Sequence, residues 1–202
     1  MDITVCIENE RSMAVMASGK RDHLVDTALG LFSRHGYHAM GIDRILAESG
    51  VAKMTLYNHF KSKDELILAV LRRRDERFRN WFMRTVERRA KAPRDRLLAI
   101  FDALGEWFAE RDFSGCMFIN ASAEFAGRDD PIHASSAEHK RLVLGYIGEL
   151  TAAAGAENPD ELARQLFLLG EGAIVAAYVA GQADAAEQAR KAAEILLDHA
   201  GV

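Results

Sequence analysis

Residues 36–63 read GYHAMGIDRILAESGVAKMTLYNHFKSK, and this stretch decides the fold. Between residues 42 and 46 the apolar side chains recur at helical spacing, and Gly50 follows them as a stop signal. A second short helix is predicted over residues 53–60. Two short helices joined through a glycine-bearing turn form a helix-turn-helix, which holds its second helix out to enter the major groove of DNA.

The same stretch carries short motifs at fixed offsets. A Leu-Phe and a Gly-Tyr pair precede the first short helix, and Gly-Val, Thr-Leu-Tyr, His-Phe and Ser-Lys follow in order. This pattern resembles the DNA-binding head of the TetR/AcrR family of transcriptional regulators, and the resemblance covers residues 20 to about 70. The matching residues are Leu31, Phe32, Gly36, Tyr37, Gly50, Val51, Lys53, Thr55, Leu56, Tyr57, His59, Phe60, Ser62 and Lys63.

The resemblance implies how the head would meet DNA. Lys53 and Thr55 lie at the N-terminal end of the second helix, which is the end that reaches base edges. Tyr57, His59 and Lys63 match positions that usually contact backbone phosphate, so they would position the head on the duplex. The predicted DNA-binding residues are Arg44, Lys53, Met54, Thr55, Tyr57, Asn58, His59 and Lys63.

Three sites depart from the family pattern. Ala52 stands where Ser is frequent, and Met40 and Gly41 stand where Ser or Thr commonly caps the first short helix. The missing hydroxyls remove cap bonds worth about 1 kcal/mol each. Met54 replaces a common Gly and could touch a thymine methyl. These departures affect which bases are read more than whether DNA is bound.

Composition predicts an all-α protein. The 202 residues are 49% hydrophobic with three prolines, and the net charge is −4. The charge is unevenly distributed, because residues 20–91 carry sixteen Lys and Arg against nine Asp and Glu, whereas residues 92–202 carry nine against eighteen. A basic head on an acidic body fits a protein that meets phosphate at one end, although the Arg-rich run at residues 72–74 could also be a solvated helix face.

The location is predicted to be cytoplasmic. Two distant cysteines give no disulfide framework, no segment approaches 18 uninterrupted apolar residues, and acidic residues replace the basic leader of a signal peptide. No membrane partner is therefore expected.

About nine helices are predicted in three segments, which are an N-terminal tail (residues 1–19), a three-helix DNA-binding head (20–62) and an effector-binding and dimerisation body (63–202). The first helix is predicted over residues 20–35 with Ser18 as its N-cap. Ser62 and Glu65 form a capping box that starts a long helix leading into the body.

The last two predicted helices are rich in small residues. In the resembled family, such a pair meets its copy as a four-helix bundle in a C2 homodimer, and two heads then read two half-sites of a palindromic operator. The alternative is that these helices complete the core of a monomer. The predicted interface residues are Leu166, Leu169, Ala173, Ala177, Ala189, Ala193 and Leu196.

A small-molecule effector pocket in the body is implied mainly by the resemblance. Aromatic side chains at helical spacing are usually ordinary core, and a pocket needs a few polar groups amid such apolar walls. The predicted pocket residues are Trp107, Phe108, Met117, Asn120, Glu124, His139, Tyr146 and Glu171. The resemblance therefore implies a ligand-responsive regulator, most often a repressor that its effector releases from DNA.

Other interpretations of the body stay open. Cys116 at a predicted helix start could sense oxidants as a thiolate, or could be a buried inert cysteine. A small helical enzyme built on Cys116 and His139 would need a third orienting group that the sequence does not nominate, and a scaffolding protein would bind DNA without sequence preference. No cofactor and no metal are expected, because His133 and His139 are not at the i, i+4 spacing that shares one helix face.

Overall fold

The computed structural model describes the backbone of residues 3–202 and the side chains of residues 19–202. Over that range the chain forms helices and no strand, which confirms the predicted all-α class. The helices are α1 (Ile3–His35), α2 (Ile42–Ser49), α3 (Lys53–His59), α4 (Lys63–Arg89), α5 (Pro93–Phe108), α6 (Met117–Glu124), α7 (Pro131–Ala153), α8 (Pro159–Val179) and α9 (Ala185–His199).

Helix α1 begins upstream of its predicted start. The prediction that it begins near Lys20 is wrong, because the helical backbone extends back to Ile3. An apolar period reports a buried face and not helicity itself, so a helical segment without that period escapes detection. The side chain of Ser18, the predicted N-cap, lies outside the described residues.

The chain forms two compact units, Met1–Arg74 and Asp75–Val202. The boundary between the two units lies inside α4, between Arg74 and Asp75. The predicted domain boundary lies at residue 63, which is the first residue of that helix. Within the first unit, Arg73 of α4 pairs with Asp22 and Asp26 of α1. These ion pairs tie the start of α4 to the helix that supports the helix-turn-helix.

In the first unit, α1 packs on α2 and α3, which also pack on each other. Tyr37 is fully buried and its ring lies 5.2 Å from that of Phe32. Of the apolar residues of the helix-turn-helix, Ile42, Leu46 and Val51 are half-buried. The core of this unit consists of Leu24, Val25, Ala28, Leu31, Phe32, Tyr37, Ile45, Leu56, Phe60, Leu66, Ile67, Val70 and Leu71.

In the second unit, α5 packs on α7, α8 and α9, while α7 also packs on α6 and α8. Helices α5, α7 and α8 each begin with a proline, because the missing proline N–H would have no partner in the first turn anyway. Leu97, Phe101, Leu104 and Leu166 are among the buried residues of this core.

In the capping box at the start of α4, the Glu65 carboxylate binds the backbone N–H one residue before the expected one. The Ser62 hydroxyl accepts a hydrogen bond from the Glu65 N–H at 3.2 Å, as expected. The Glu65 carboxylate reaches back to the N–H of Lys61 at 2.8 Å, and not to that of Ser62. Both bonds satisfy backbone N–H groups that have no carbonyl partner within α4.

Helix α7 depends on a side-chain cap, whereas α8 does not. The Asp130 carboxylate accepts a bond from the Ile132 N–H at 2.7 Å, but Asn158 makes no side-chain cap bond. We expect Asp130→Ala to lower the free energy of unfolding by about 1 kcal/mol and Asn158→Ala to lower it by less than about 0.5 kcal/mol. Urea denaturation measures both, and equal losses would contradict a specific role for the Asp130 cap.

Helix α8 is the one helix in the described part of the chain that is long and apolar enough, by length and composition alone, to cross a membrane. It carries Glu171, which pairs with Lys140 of α7, and it packs on α5, α7 and α9. A helix of a water-soluble helical bundle passes the same test, so the expectation of no membrane partner stays a prediction.

Candidate nucleic-acid interface and effector region

The turn between α2 and α3 is held by backbone bonds and one hydroxyl. Gly50 has φ of +66°, which favours glycine, and its N–H donates to the Leu46 carbonyl at 2.9 Å. The Ser49 hydroxyl accepts from the Val51 N–H at 3.3 Å, and His23 of α1 contacts the Ser49 carbonyl at 3.0 Å. These contacts fix how α3 leaves α2.

Helix α3 presents one face to solvent. Leu56 is fully buried, so it anchors α3 against the core of the first unit. Met54 is 73% exposed and Tyr57 45% exposed, and Lys53 and Asn58 are exposed as well. Thr55 and His59 are half-buried, so less of each side chain is available to DNA than the sequence suggested.

The predicted cationic DNA contacts already have partners in the protein. The Lys53 ammonium lies 3.4 Å from the Asp43 carboxylate, and Arg44 lies 3.9 Å from Glu48. Lys63 is half-buried and donates to the His38 carbonyl at 3.4 Å. Exposed ion pairs contribute at most about 1 kcal/mol, so phosphate can replace these carboxylates at little cost.

In the second unit, rings from α4 to α7 form one connected set, which we call the aromatic cluster. Phe78 contacts Trp107 edge-on at 5.0 Å and stacks on Phe82 at 5.6 Å, and Phe82 contacts Tyr146 at 6.1 Å. Of the predicted pocket residues, the structure brings together Trp107, Phe108, His139 and Tyr146 through these rings. The cluster comprises Phe78, Trp81, Phe82, Trp107, Phe108, Phe113, Phe118, His139 and Tyr146, and its Phe113 also contacts Tyr178 of α8 at 6.2 Å.

His139 is the buried polar centre of this cluster. Its ring stacks on Phe118 at 3.7 Å, and its Nδ1–H donates to the Asp75 carboxylate at 2.7 Å. Burial lowers the pKa of His139 to about 4, although the bond to Asp75 acts in the opposite direction. Arg79 holds the same carboxylate with two bonds of 2.9 and 2.7 Å, and these bonds together with His139 keep the pKa of Asp75 below its usual value despite burial.

The remaining predicted pocket residues are Met117, Asn120, Glu124 and Glu171. Glu171 pairs with Lys140 at 2.6 Å, and the Lys140 ammonium also lies 3.4 Å from the buried Cys116 sulfur. Asn120 donates to the Ser114 carbonyl at 3.4 Å. Met117 is buried and Glu124 is half-buried.

Sequence reasoning missed the partners of these groups. Asp75 and Arg79 have the i, i+4 spacing of a helical ion pair, which was a usable signal. Lys140 meets Glu171 from another helix, and no local pattern indicates a contact between residues that far apart.

The predicted dimer-interface residues divide into two sets. Leu166, Ala173, Ala189 and Ala193 are buried within the chain itself, although Ala173 and Ala189 line a groove between α8 and α9, whereas Leu169, Ala177 and Leu196 are half-buried. Sequence alone does not show which face of an Ala-rich helix is buried, because small residues occur on both of its faces. The large apolar side chains that α8 and α9 expose are Leu168, Val175, Tyr178, Val179 and Ile195.

Both units match families of known proteins. Residues 24–70 match "Bacterial regulatory proteins, tetR family", and residues 93–193 match "Tetracyclin repressor-like, C-terminal domain". This chain belongs to the TetR family. Membership confirms the predicted resemblance and identifies a ligand-responsive, DNA-binding transcriptional regulator. Regulators of the TetR family are generally non-enzymatic.

The curated TetR-family relatives include both an activator and repressors. The transcriptional activator FasR of Mycolicibacterium smegmatis is 37% identical over 111 residues, which cover 55% of this chain and 50% of FasR. This chain thus matches about half the length of FasR. The transcriptional repressor NemR of Escherichia coli is 25% identical over 178 residues, which cover 84% of this chain and 89% of NemR.

Solved structures agree with the TetR-family fold. A TetR-family regulator from Streptomyces coelicolor superposes with a TM-score of 0.85 at 31% identity, and the match covers 92% of this chain and 97% of that protein. Reduced Escherichia coli NemR superposes with a TM-score of 0.79 at 22% identity over 87% of this chain and 95% of NemR, which supports the fold alone.

Proposed function

We propose that this chain is a homodimeric repressor that binds a palindromic operator in the cytoplasm and leaves it when an effector binds. The observation that carries the proposal is the outward face of α3, where Lys53, Met54, Tyr57 and Asn58 are exposed while Leu56 anchors the helix. Repression is favoured over activation because the match to the repressor NemR extends over most of both chains.

The exposed apolar face of α8 and α9 supports the dimer. Leu168, Val179 and Ile195 are each at least 68% exposed, and a groove of about 320 Å³ lies between the two helices. Contiguous exposed apolar groups mark interaction surfaces, and a symmetric pair of such faces buries both at once. A dimer also supplies two copies of α3, which a palindromic site requires.

Effector release follows from differential affinity. A ligand that binds more tightly to a conformation unable to engage both half-sites shifts the population toward that conformation and weakens DNA binding by the same factor. Helix α4 belongs to both units, because residues 63–74 lie in the first and residues 75–89 in the second. It is therefore the element through which we expect the two sites to be coupled.

Lys53→Ala combined with Tyr57→Ala is expected to weaken operator binding at least ~100-fold, because the dimer loses two contacts in each half-site. The operator is first selected from fragmented genomic DNA with the purified protein. Fluorescence anisotropy then measures affinity against salt concentration.

The matched control is Lys91→Ala, which removes an exposed lysine from the turn between α4 and α5. This variant should keep both the affinity and the salt slope of the unaltered protein. If the double head variant retained full operator affinity, α3 would not be the recognition helix.

A further inference from the structure

The charged groups around the aromatic cluster neutralise one another. Arg79 pairs with Asp75 through two hydrogen bonds, and Lys140 pairs with Glu171 at 2.6 Å. His139 is uncharged at neutral pH, because burial lowers its pKa to about 4. These groups sum to no net charge, and the charged groups that act on Tyr146, which are Glu87, Glu149 and Arg96, offer an anion no excess of positive charge.

One polar atom in this region lacks a partner. The Tyr146 hydroxyl is buried and makes no hydrogen bond in the described part of the structure. Its ring lies edge-on to Phe82, with ring centroids 6.1 Å apart. Burial raises the pKa of Tyr146 to about 12, so the hydroxyl keeps its proton at neutral pH and remains a donor.

We infer that the effector is an uncharged molecule with a flat aromatic or conjugated body and a carbonyl oxygen that accepts a hydrogen bond from Tyr146. This inference rests on the proposed effector response and specifies its ligand. Aromatic rings favour flat apolar ligands, and a buried hydroxyl without a partner favours a ligand that supplies an acceptor. An ionised ligand would enter a site whose charges are already paired, and its own charge would stay uncompensated.

Three naphthalene probes of nearly equal size separate these features. They are 2-acetylnaphthalene, which carries a carbonyl, 2-isopropenylnaphthalene, which lacks the acceptor, and 2-naphthoate, which is an anion. Isothermal titration calorimetry at pH 7.5 measures their binding to the full-length protein. We expect the ketone to bind ~5- to 10-fold more tightly than the alkene, and at least ~100-fold more tightly than the anion.

Two variants assign the selectivity to residues. Tyr146→Phe should weaken ketone binding ~5- to 10-fold and leave alkene binding unchanged, because only the hydroxyl is removed. Its melting temperature without ligand should equal or exceed that of the unaltered protein, since removing an unpartnered buried hydroxyl is neutral or stabilising. Glu171→Gln leaves the Lys140 charge uncompensated and should improve 2-naphthoate binding ~10-fold or more.

Operator binding by the same samples without probe distinguishes this inference from the proposed function. Anion binding as tight as ketone binding would overturn the inference, and so would unchanged ketone affinity in Tyr146→Phe. Failure of the ketone to bind up to its solubility limit would overturn it too, while intact operator binding would leave the DNA-binding proposal standing. A protein that binds no operator would overturn the proposed function, whatever the probes do.

Discussion

Val175→Asp combined with Ile195→Asp is expected to convert the proposed dimer into folded monomers and to abolish operator binding at micromolar concentration. Both side chains belong to the exposed apolar face of α8 and α9, at 44% and 70% exposure. A buried charge without a partner costs about 3–5 kcal/mol, and a symmetric dimer would bury the new charges of both subunits. The dissociation constant of the dimer should therefore rise by a factor of at least ~1000.

Sedimentation velocity measures the oligomeric state, and anisotropy measures operator affinity in the same samples. The control is Ala123→Asp, which adds a carboxylate to an exposed position of α6, away from α8 and α9. The control should remain dimeric and bind the operator normally. A double variant that stays dimeric would show that the two copies pair through another surface.

The helix-turn-helix could be predicted from sequence because its determinants are local. Gly50 supplies a positive φ at the end of α2, and Leu56 lies at the spacing that buries one face of a short helix. The three helix-starting prolines of the second unit are equally local signals. Each of these features depends on residues within one or two helical turns.

The candidate effector region could be predicted only as a collection of residues. Aromatic spacing indicated that Trp107 and Tyr146 belong to the body, but not which rings they would meet. The bonds from His139 to Asp75 and from Lys140 to Glu171 join different helices, so they depend on tertiary packing. In α8 and α9, alanine and glycine occupy several faces, and composition therefore could not separate the buried Leu166 from the exposed Leu168.

Acid conditions are expected to destabilise the second unit through His139. The imidazole has an ordinary pKa of 6.5 when unfolded and about 4 when folded, because burial disfavours the charged form. As the pH falls from 6.5 to 4, the unfolded chain binds a proton that the folded chain does not bind. The contribution of His139 to stability is therefore complete above pH 6.5 and is progressively lost toward pH 4.

The loss between pH 7.5 and pH 4.5 should be about 2–3 kcal/mol, because each unit of pKa difference is worth about 1.4 kcal/mol. Urea denaturation at successive pH values measures it. The pKa of Asp75 is held below its ordinary value of 3.8, so this carboxylate stays ionised throughout that range and adds no loss of its own. His139→Asn keeps a hydrogen-bond donor but cannot titrate, and we expect it to lose about 2–3 kcal/mol less than the unaltered chain over the same interval.

The His139→Asn chain should start from a lower stability at pH 7.5, because asparagine cannot stack on Phe118 as the imidazole does. The decisive quantity is therefore the slope of stability against pH, and not the stability at any one pH. His133→Asn, on the same helix, controls for the removal of a half-buried imidazole whose Nδ1 contacts the Phe125 carbonyl. An equally steep acid loss in His139→Asn and in the unaltered chain would mean that the pKa of His139 is the same in the folded and unfolded states, and a shallower loss in the unaltered chain would mean that its bond to Asp75 is a charged pair.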